Sequence, residues 1–321
     1  MPPAQVRSPL PRPGPLSGTR RWPTFLRMRA TDGDKAVSLA WNGVSLPVPA
    51  DWRPARLGLG YLYFEDDEGP AFEFKWRAHA GRDGMEAALK ALTPKGRARA
   101  GGELPETWLD ALADFELMPL SWRRDGRTGL GAALFCPHCG MAAVFQAYGG
   151  AHGPDAARQA AVAAALAGLK HHEPGPPAYK VYGLSFVAPE GFALASFAFV
   201  PGRFSLTFAA KGRRLDVVRL APADVILAQA SLGDTAARTF GLTEATLREG
   251  GVVAGCPAVW LARRQGSGFL DVVARRFGRQ GTLAVLRHDA AANKLYGAAL
   301  STASPVDRQW LAQTAARCVS L

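Results

Sequence analysis

The chain has 321 residues, about half of them apolar (48%), which is enough material for two cores of ordinary domain size. Four cysteines are too few for a disulfide-built scaffold, and no apolar run reaches the roughly 20 residues that a membrane-spanning helix requires. The formal charge of +11 is unevenly spread: five arginines and no acidic residue in 1–27 supply +5 and leave +6 for the rest, where no basic stripe with interleaved aromatics marks a nucleic-acid surface.

Residues 1–35 form a basic tail, rich in Pro and Arg and without apolar periodicity, and are expected to be disordered. No apolar segment of the kind that follows the basic start of a secretory signal is present, so the chain reads as cytoplasmic; the Arg-rich, acid-free residues 1–27 fit either an organellar transit peptide or, as the favoured reading, an upstream extension with Met28 as the natural start. Val37 to Pro49 alternates apolar and polar residues and predicts a strand or hairpin entering a Pro-Ala-Asp-Trp turn. Tyr61 to Phe64 and Ala71 to Trp76 predict a hairpin, with the acidic residues 65–68 as its solvated tip. Met85 to Leu92 and Thr107 to Leu112 have helical spacing, Phe115 to Trp122 and Leu130 to Tyr148 are strand-like, and Pro154 to Leu169 predicts a helix.

The second half runs in the same order. Asn42 to Trp52 (NGVSLPVPADW) reappears as Tyr182 to Phe192 (YGLSFVAPEGF), with the Gly, the Ser and the second Pro retained. A hairpin follows at Phe204 to Phe208 and Leu215 to Val218, then helices at Ala223 to Leu232 and Asp234 to Phe240. Strands are expected at Ala258 to Ala262 and within Gly268 to His288, and a closing helix at Pro305 to Val319. The chain therefore reads as a tandem duplication: a first domain over 36–172, a Pro/Gly-rich linker over 173–179 and a second domain over 180–321.

This order resembles the PsbP family, which includes a photosystem extrinsic protein and a Ran-binding nuclear import factor. The resemblance is carried by Val44 to Pro49 with Trp52, by Leu184 to Pro189 with Phe192, and by the segment ends Leu166 to Leu169 and Cys318 to Leu321. It implies an α+β fold of two similar domains, each an antiparallel sheet flanked by helices in an α/β/α sandwich. It also implies a role in binding and assembly with no shared active site.

One motif carries chemistry. Cys136-Pro137-His138-Cys139-Gly140 admits three readings: a surface hairpin with two reduced thiols, a zinc knuckle, or a thiol–disulfide oxidoreductase. In the second, the turn presents two thiolates to one tetrahedral ion, and the rest of the shell must come from His152, His171, His172 or another chain. In the third, Cys136 is the nucleophile, Cys139 the resolving thiol and His138 the thiolate-stabilising residue, which requires Cys136 to open a helix. The internal comparison favours a hairpin tip. It also sets the basic segment Arg275, Arg276, Phe277, Arg279 of the second half opposite the cysteine turn, as a candidate partner-binding tip. Gly58-Leu59-Gly60 and Gly129-Leu130-Gly131 lack the context of a dinucleotide site, and Gly266-Ser267-Gly268 is not a nucleophile elbow. The sequence thus predicts a cytoplasmic, non-enzymatic protein that binds a protein partner or itself, with zinc as the alternative to no cofactor.

Overall fold

The computed structural model describes residues 36–81, 84, 86–87, 99–124, 126–245, 247–263 and 281–320. The tail 1–35, most of the Met85 to Leu92 helix and the Arg275, Arg276, Phe277, Arg279 segment lie outside these residues.

Two short hairpins open the halves. The first is β1 (Ala36–Trp41) with β2 (Val44–Pro49). Its Asn42-Gly43 turn has positive φ at both residues, the geometry that lets a two-residue loop match strand twist. Next come β3 (Arg53–Gly58), β4 (Tyr61–Asp66), β5 (Gly69–Arg77), β6 (Arg99–Ala100), β7 (Glu116–Arg124), β8 (Arg127–Phe135) and β9 (Ala142–Gly149). They build a seven-stranded antiparallel sheet in the order β3-β4-β5-β9-β8-β7-β6. Helices α1 (Glu106–Ala111) and α2 (Ala156–Ala167) pack on each other and on this sheet, with Trp108, Val162, Ala165 and Leu166 in one core with Phe72, Phe74 and Phe145.

In the second half, β10 (Ala178–Val181) and β11 (Leu184–Val187) repeat the opening hairpin, and Tyr182 and Gly183 again have positive φ. The strands that follow are β12 (Ala193–Val200), β13 (Arg203–Ala210), β14 (Arg213–Leu220), β15 (Leu247–Val253), β16 (Cys256–Arg263), β17 (Gly281–Asp289) and β18 (Lys294–Thr302). Their order, β12-β13-β14-β18-β17-β16-β15, is that of the first large sheet with every label raised by nine. Helices α3 (Ala223–Gln229) and α4 (Leu232–Phe240) bury Ala223, Ala236 and Ala237 against one face, where Val218, Ala284 and Leu286 point. Helix α5 (Arg308–Ala316) buries Leu311 and Ala315 against the opposite face, with Val285, Tyr296 and Ala298. The chain then enters β19 (Val319–Ser320).

The opening hairpins do not join the sheet of their own half. They pair with each other, β1 against β10 at Ala40 and Lys180, to give a third sheet, β19-β11-β10-β1-β2. Its two ends are built alike: Ser185 pairs with Val319, and Ser45 exchanges both backbone hydrogen bonds with Lys170 at 2.8 Å. One continuous apolar core runs through both halves, and Trp41 sits at the junction, donating to the Gly58 carbonyl and stacking edge-on against Tyr179 and Phe197.

This corrects the expected fold class. The molecule is mostly β, with three antiparallel sheets, and not a pair of α/β/α sandwiches. The reason is that each opening hairpin, having one apolar edge row and backbone groups to satisfy, finds them in the other hairpin. The hairpins thereby form a third sheet beside the two large ones, and strands outweigh the helices that pack on them. No helix among the described residues is long and apolar enough to cross a membrane.

Candidate metal centre

The Cys136–Gly140 turn links β8 to β9, as a hairpin tip and not a helix start. It is closed by two backbone hydrogen bonds, Cys136 N–H to the Met141 carbonyl and Gly140 N–H to the Cys136 carbonyl, both 2.9 Å. Gly140 sits at φ +68, where a side chain is strained, so glycine is the residue that lets the chain fold back within four residues. Its carbonyl accepts from Ala80 N–H at 2.9 Å, which ties the tip to the end of β5. Pro137 and His138 face solvent, but Cys136 is only 1% exposed and belongs to the core.

The second element of the site is the exit of α2. This helix forms because an alanine-rich run is capped by Asp155, whose carboxylate accepts from Arg158 N–H at 2.7 Å. It is anchored sideways where Trp108 donates to the Gln159 carbonyl at 2.9 Å. It ends at Gly168, which lies so close to β2 that a Cβ there would sit 2.5 Å from the Pro47 ring. The paired hydrogen bonds between Lys170 and Ser45 then fix the chain, and the next two residues, His171 and His172, project toward the cysteine turn.

The ligand-capable atoms of Cys136, Cys139, His171 and His172 all lie within 4.8 Å of one another. A tetrahedral shell with Zn–S of about 2.3 Å and Zn–N of about 2.0 Å has edges of about 3.3 to 3.8 Å, so closing the four groups on one ion needs shifts on the order of 1 Å. The His172 Nδ1 and His171 Nε2 atoms are already 3.0 Å apart. The rings meet nearly edge to face, and the His171 ring packs against Phe115 with centroids 5.0 Å apart. Burial, with His172 as the second cause, pushes the His171 pKa down to about 4, so its imidazole is neutral and ready to donate a lone pair. Burial raises the Cys139 thiol, and its contact with Cys136 adds to the rise. The thiol proton must therefore leave when a cation binds, a step that the cation itself drives. A groove of about 350 Å³, lined by Asp114, Phe115, His138, Lys170 and Glu173 among others, runs beside Cys136 and both histidines.

Of the candidate ligands, the structure brings together Cys136, Cys139, His171 and His172. His152 is exposed in the loop between β9 and α2, outside this group. His138 approaches only the outer ring, its centroid 6.3 Å from that of His172. The placement of the basic tip also changes. The turn that matches Cys136–Gly140 in the second large sheet is Ala290 to Asn293, between β17 and β18, and the 275–279 segment belongs between β16 and β17.

A feature that sequence reasoning missed lies at the matching place of the second half. There Tyr296 and Lys294 of β18 both reach the Ser320 hydroxyl, the former at 2.7 Å, and Arg287 of β17 donates to the Cys318 carbonyl at 2.7 Å. The same β-turn end is thus tied to the strand after the closing helix by polar side chains. The signal was the Lys-x-Tyr on β18, but that strand itself was not anticipated.

No family model and no curated protein matches the chain. A solved structure from Bacteroides thetaiotaomicron VPI-5482, at 1.50 Å resolution, is similar at 14% identity with a TM-score of 0.31. The match covers 49% of this chain and 56% of that one, so the chain spans about half the length of that protein.

Proposed function

We propose that this chain is a zinc-binding protein in which the ion is structural, locking the β8–β9 turn to the segment that connects the halves of a non-enzymatic binding scaffold. The observation that carries the reading is the convergence of Cys136, Cys139, His171 and His172 from two segments more than thirty residues apart. Two thiolates and two imidazoles make a soft, closed, four-ligand set, the composition of structural zinc sites; catalytic zinc keeps a position open. The polar tie at Ser320 supports a structural role, because in the second half side-chain hydrogen bonds from Lys294 and Tyr296 hold the equivalent elements together.

A thiol–disulfide oxidoreductase is disfavoured by the same geometry. Its attacking cysteine needs a helix N-terminus and solvent access, whereas Cys136 lies in a β-turn, is buried, and has a neighbour whose thiol is raised and not lowered. We also propose that the two halves are copies of one ancestral unit, a reading supported by the repeated strand order.

The test is metal content by elemental analysis and zinc titration of the full chain. Wild type is expected to hold one zinc per chain. Cys136→Ser and His172→Ala each remove a ligand and should weaken binding by more than about 100-fold, the upper end of what loss of an outer-shell partner costs. His152→Ala should bind as wild type does. A wild-type chain free of metal, or an equal loss in His152→Ala, overturns the assignment.

A further inference from the structure

Resting on the zinc reading above, we propose that the centre is a redox-released clamp: peroxide joins Cys136 to Cys139 as a disulfide, the ion departs, and the 171–176 segment is freed. Three observations carry this. The two sulfurs come from one tight turn, adjacent to each other, while both nitrogens come from another segment, so oxidation of the turn removes half the shell in a single event. Two neutral imidazoles alone hold zinc weakly, since the soft thiolates supply most of the selectivity and charge. Cys139 is itself partly exposed, so a small oxidant can reach it, and the groove lined by Cys136 and both histidines gives the ion a way out.

The step balances. The Cys139 thiolate attacks one oxygen of hydrogen peroxide, the O–O bond breaks, and a sulfenic acid forms with loss of hydroxide. The Cys136 thiolate then attacks that sulfur, forming the S–S bond and expelling a second hydroxide. With two protons from solvent the products are the disulfide, two waters and aqueous zinc, and a dithiol reverses the change. The other two cysteines stand apart from this chemistry: Cys318 is fully buried, and Cys256 contacts Arg287 at 3.4 Å in the other half. In the second half the tie at Ser320 is made by the Lys294 amine and the Tyr296 hydroxyl and not by sulfur, so the clamp opens in the first half only.

What the ion restrains is the chain just beyond Lys170, an exposed residue whose backbone stays bound to Ser45. Releasing His171 and His172 should expose the Lys170–His171 bond to trypsin.

The experiment takes the reduced, zinc-loaded full chain, adds hydrogen peroxide, and follows zinc with a colorimetric chelator, the disulfide by mass of the peptide spanning 136–139, and trypsin cleavage after Lys170. The expected result is one zinc released per disulfide, cleavage at Lys170 roughly tenfold faster because the opened form is more populated, and full recovery with dithiothreitol and zinc. Cys256→Ala should respond identically. If the chain holds zinc but peroxide neither releases it nor forms the Cys136–Cys139 bond, the switch is refuted and the metal site stands. Release through sulfinic acids, or a disulfide to Cys256, refutes it too. A reduced chain that holds no zinc sinks both readings.

Discussion

At the scale of single residues, the site is governed by how burial sets the resting state of each donor. His171 has its folded pKa depressed to about 4 from an ordinary 6.5, so the metal-free protein folds with it neutral. A depressed folded pKa adds stability that is present above about pH 6.5 and is lost as pH falls toward 4, because the unfolded chain takes up the proton first. Urea unfolding of the metal-free chain should therefore weaken between those values, and His171→Gln should flatten that part of the slope. A slope unchanged by the substitution contradicts the account. Cys318 is the contrast: full burial pushes its thiol up to about 12, partly countered by Arg287 and Arg219, so it should resist alkylation at pH 8 while the metal-free Cys139 reacts. Mass-spectrometric counting of modified thiols checks this. Much of the site was legible at this scale. Cys-Pro-x-Cys-Gly specifies a thiolate turn by its own chemistry, and His171 and His172 were among the few donors within reach. That His152 points elsewhere was not legible, because it depends on a loop between β9 and α2 with no periodicity to orient it.

At the scale of elements, one close contact and one buried tryptophan position the segment that carries His171 and His172. Gly168 brings the end of α2 against Pro47, and Gly168→Ala should place a methyl group 2.5 Å from that ring. Overpacking of this kind costs about 1 to 3 kcal/mol, and it should also lower zinc affinity, since His171 lies three residues on. Calorimetric stability together with zinc titration checks both, and a neutral result in both denies the positioning role. Trp108, fully buried between α2 and the sheet, should cost about 3 to 5 kcal/mol on replacement by alanine, measured by denaturant unfolding. Strands with alternating apolar rows, such as β4, β5 and β13, and the capped alanine-rich α2 were legible from pattern. Of the strands not anticipated, the four longest have a physical reason. β3 (RPARLG) is a basic, proline-containing edge with little apolar signal, and β15 (LREGGVV) is an almost wholly exposed edge. β12 alternates only weakly because its outer row is open to solvent, and β18 (KLYGAALST), buried on both faces at the centre of its sheet, has no alternation to read. The missing β18 displaced the comparison of turns by one hairpin and set the arginine segment opposite the cysteines.

At the scale of the whole molecule, the two halves are joined by more than a linker. β1 pairs with β10, Trp41 packs against strands of both halves, and the expected linker over 173–179 already enters β10 at Ala178. Local sequence signals the hairpins but not their partners, because the pairing of β1 with β10 spans about 140 residues and depends on shape that only the assembled halves possess. A chain of residues 36–172 alone should expose the β1 edge and the Trp41 face, and should aggregate or lack a cooperative transition. A soluble, cooperatively folding half would contradict the shared-core description. The four-residue cluster proposed to hold zinc lies where this larger architecture is pinned, between a hairpin tip of one sheet and the segment that leads into the next. Its ligand set can be read directly by X-ray absorption at the zinc edge of the loaded full chain. The account predicts a shell of two sulfurs at about 2.3 Å and two nitrogens at about 2.0 Å. A shell made only of oxygen and nitrogen, or of four sulfurs shared between two chains, would contradict it.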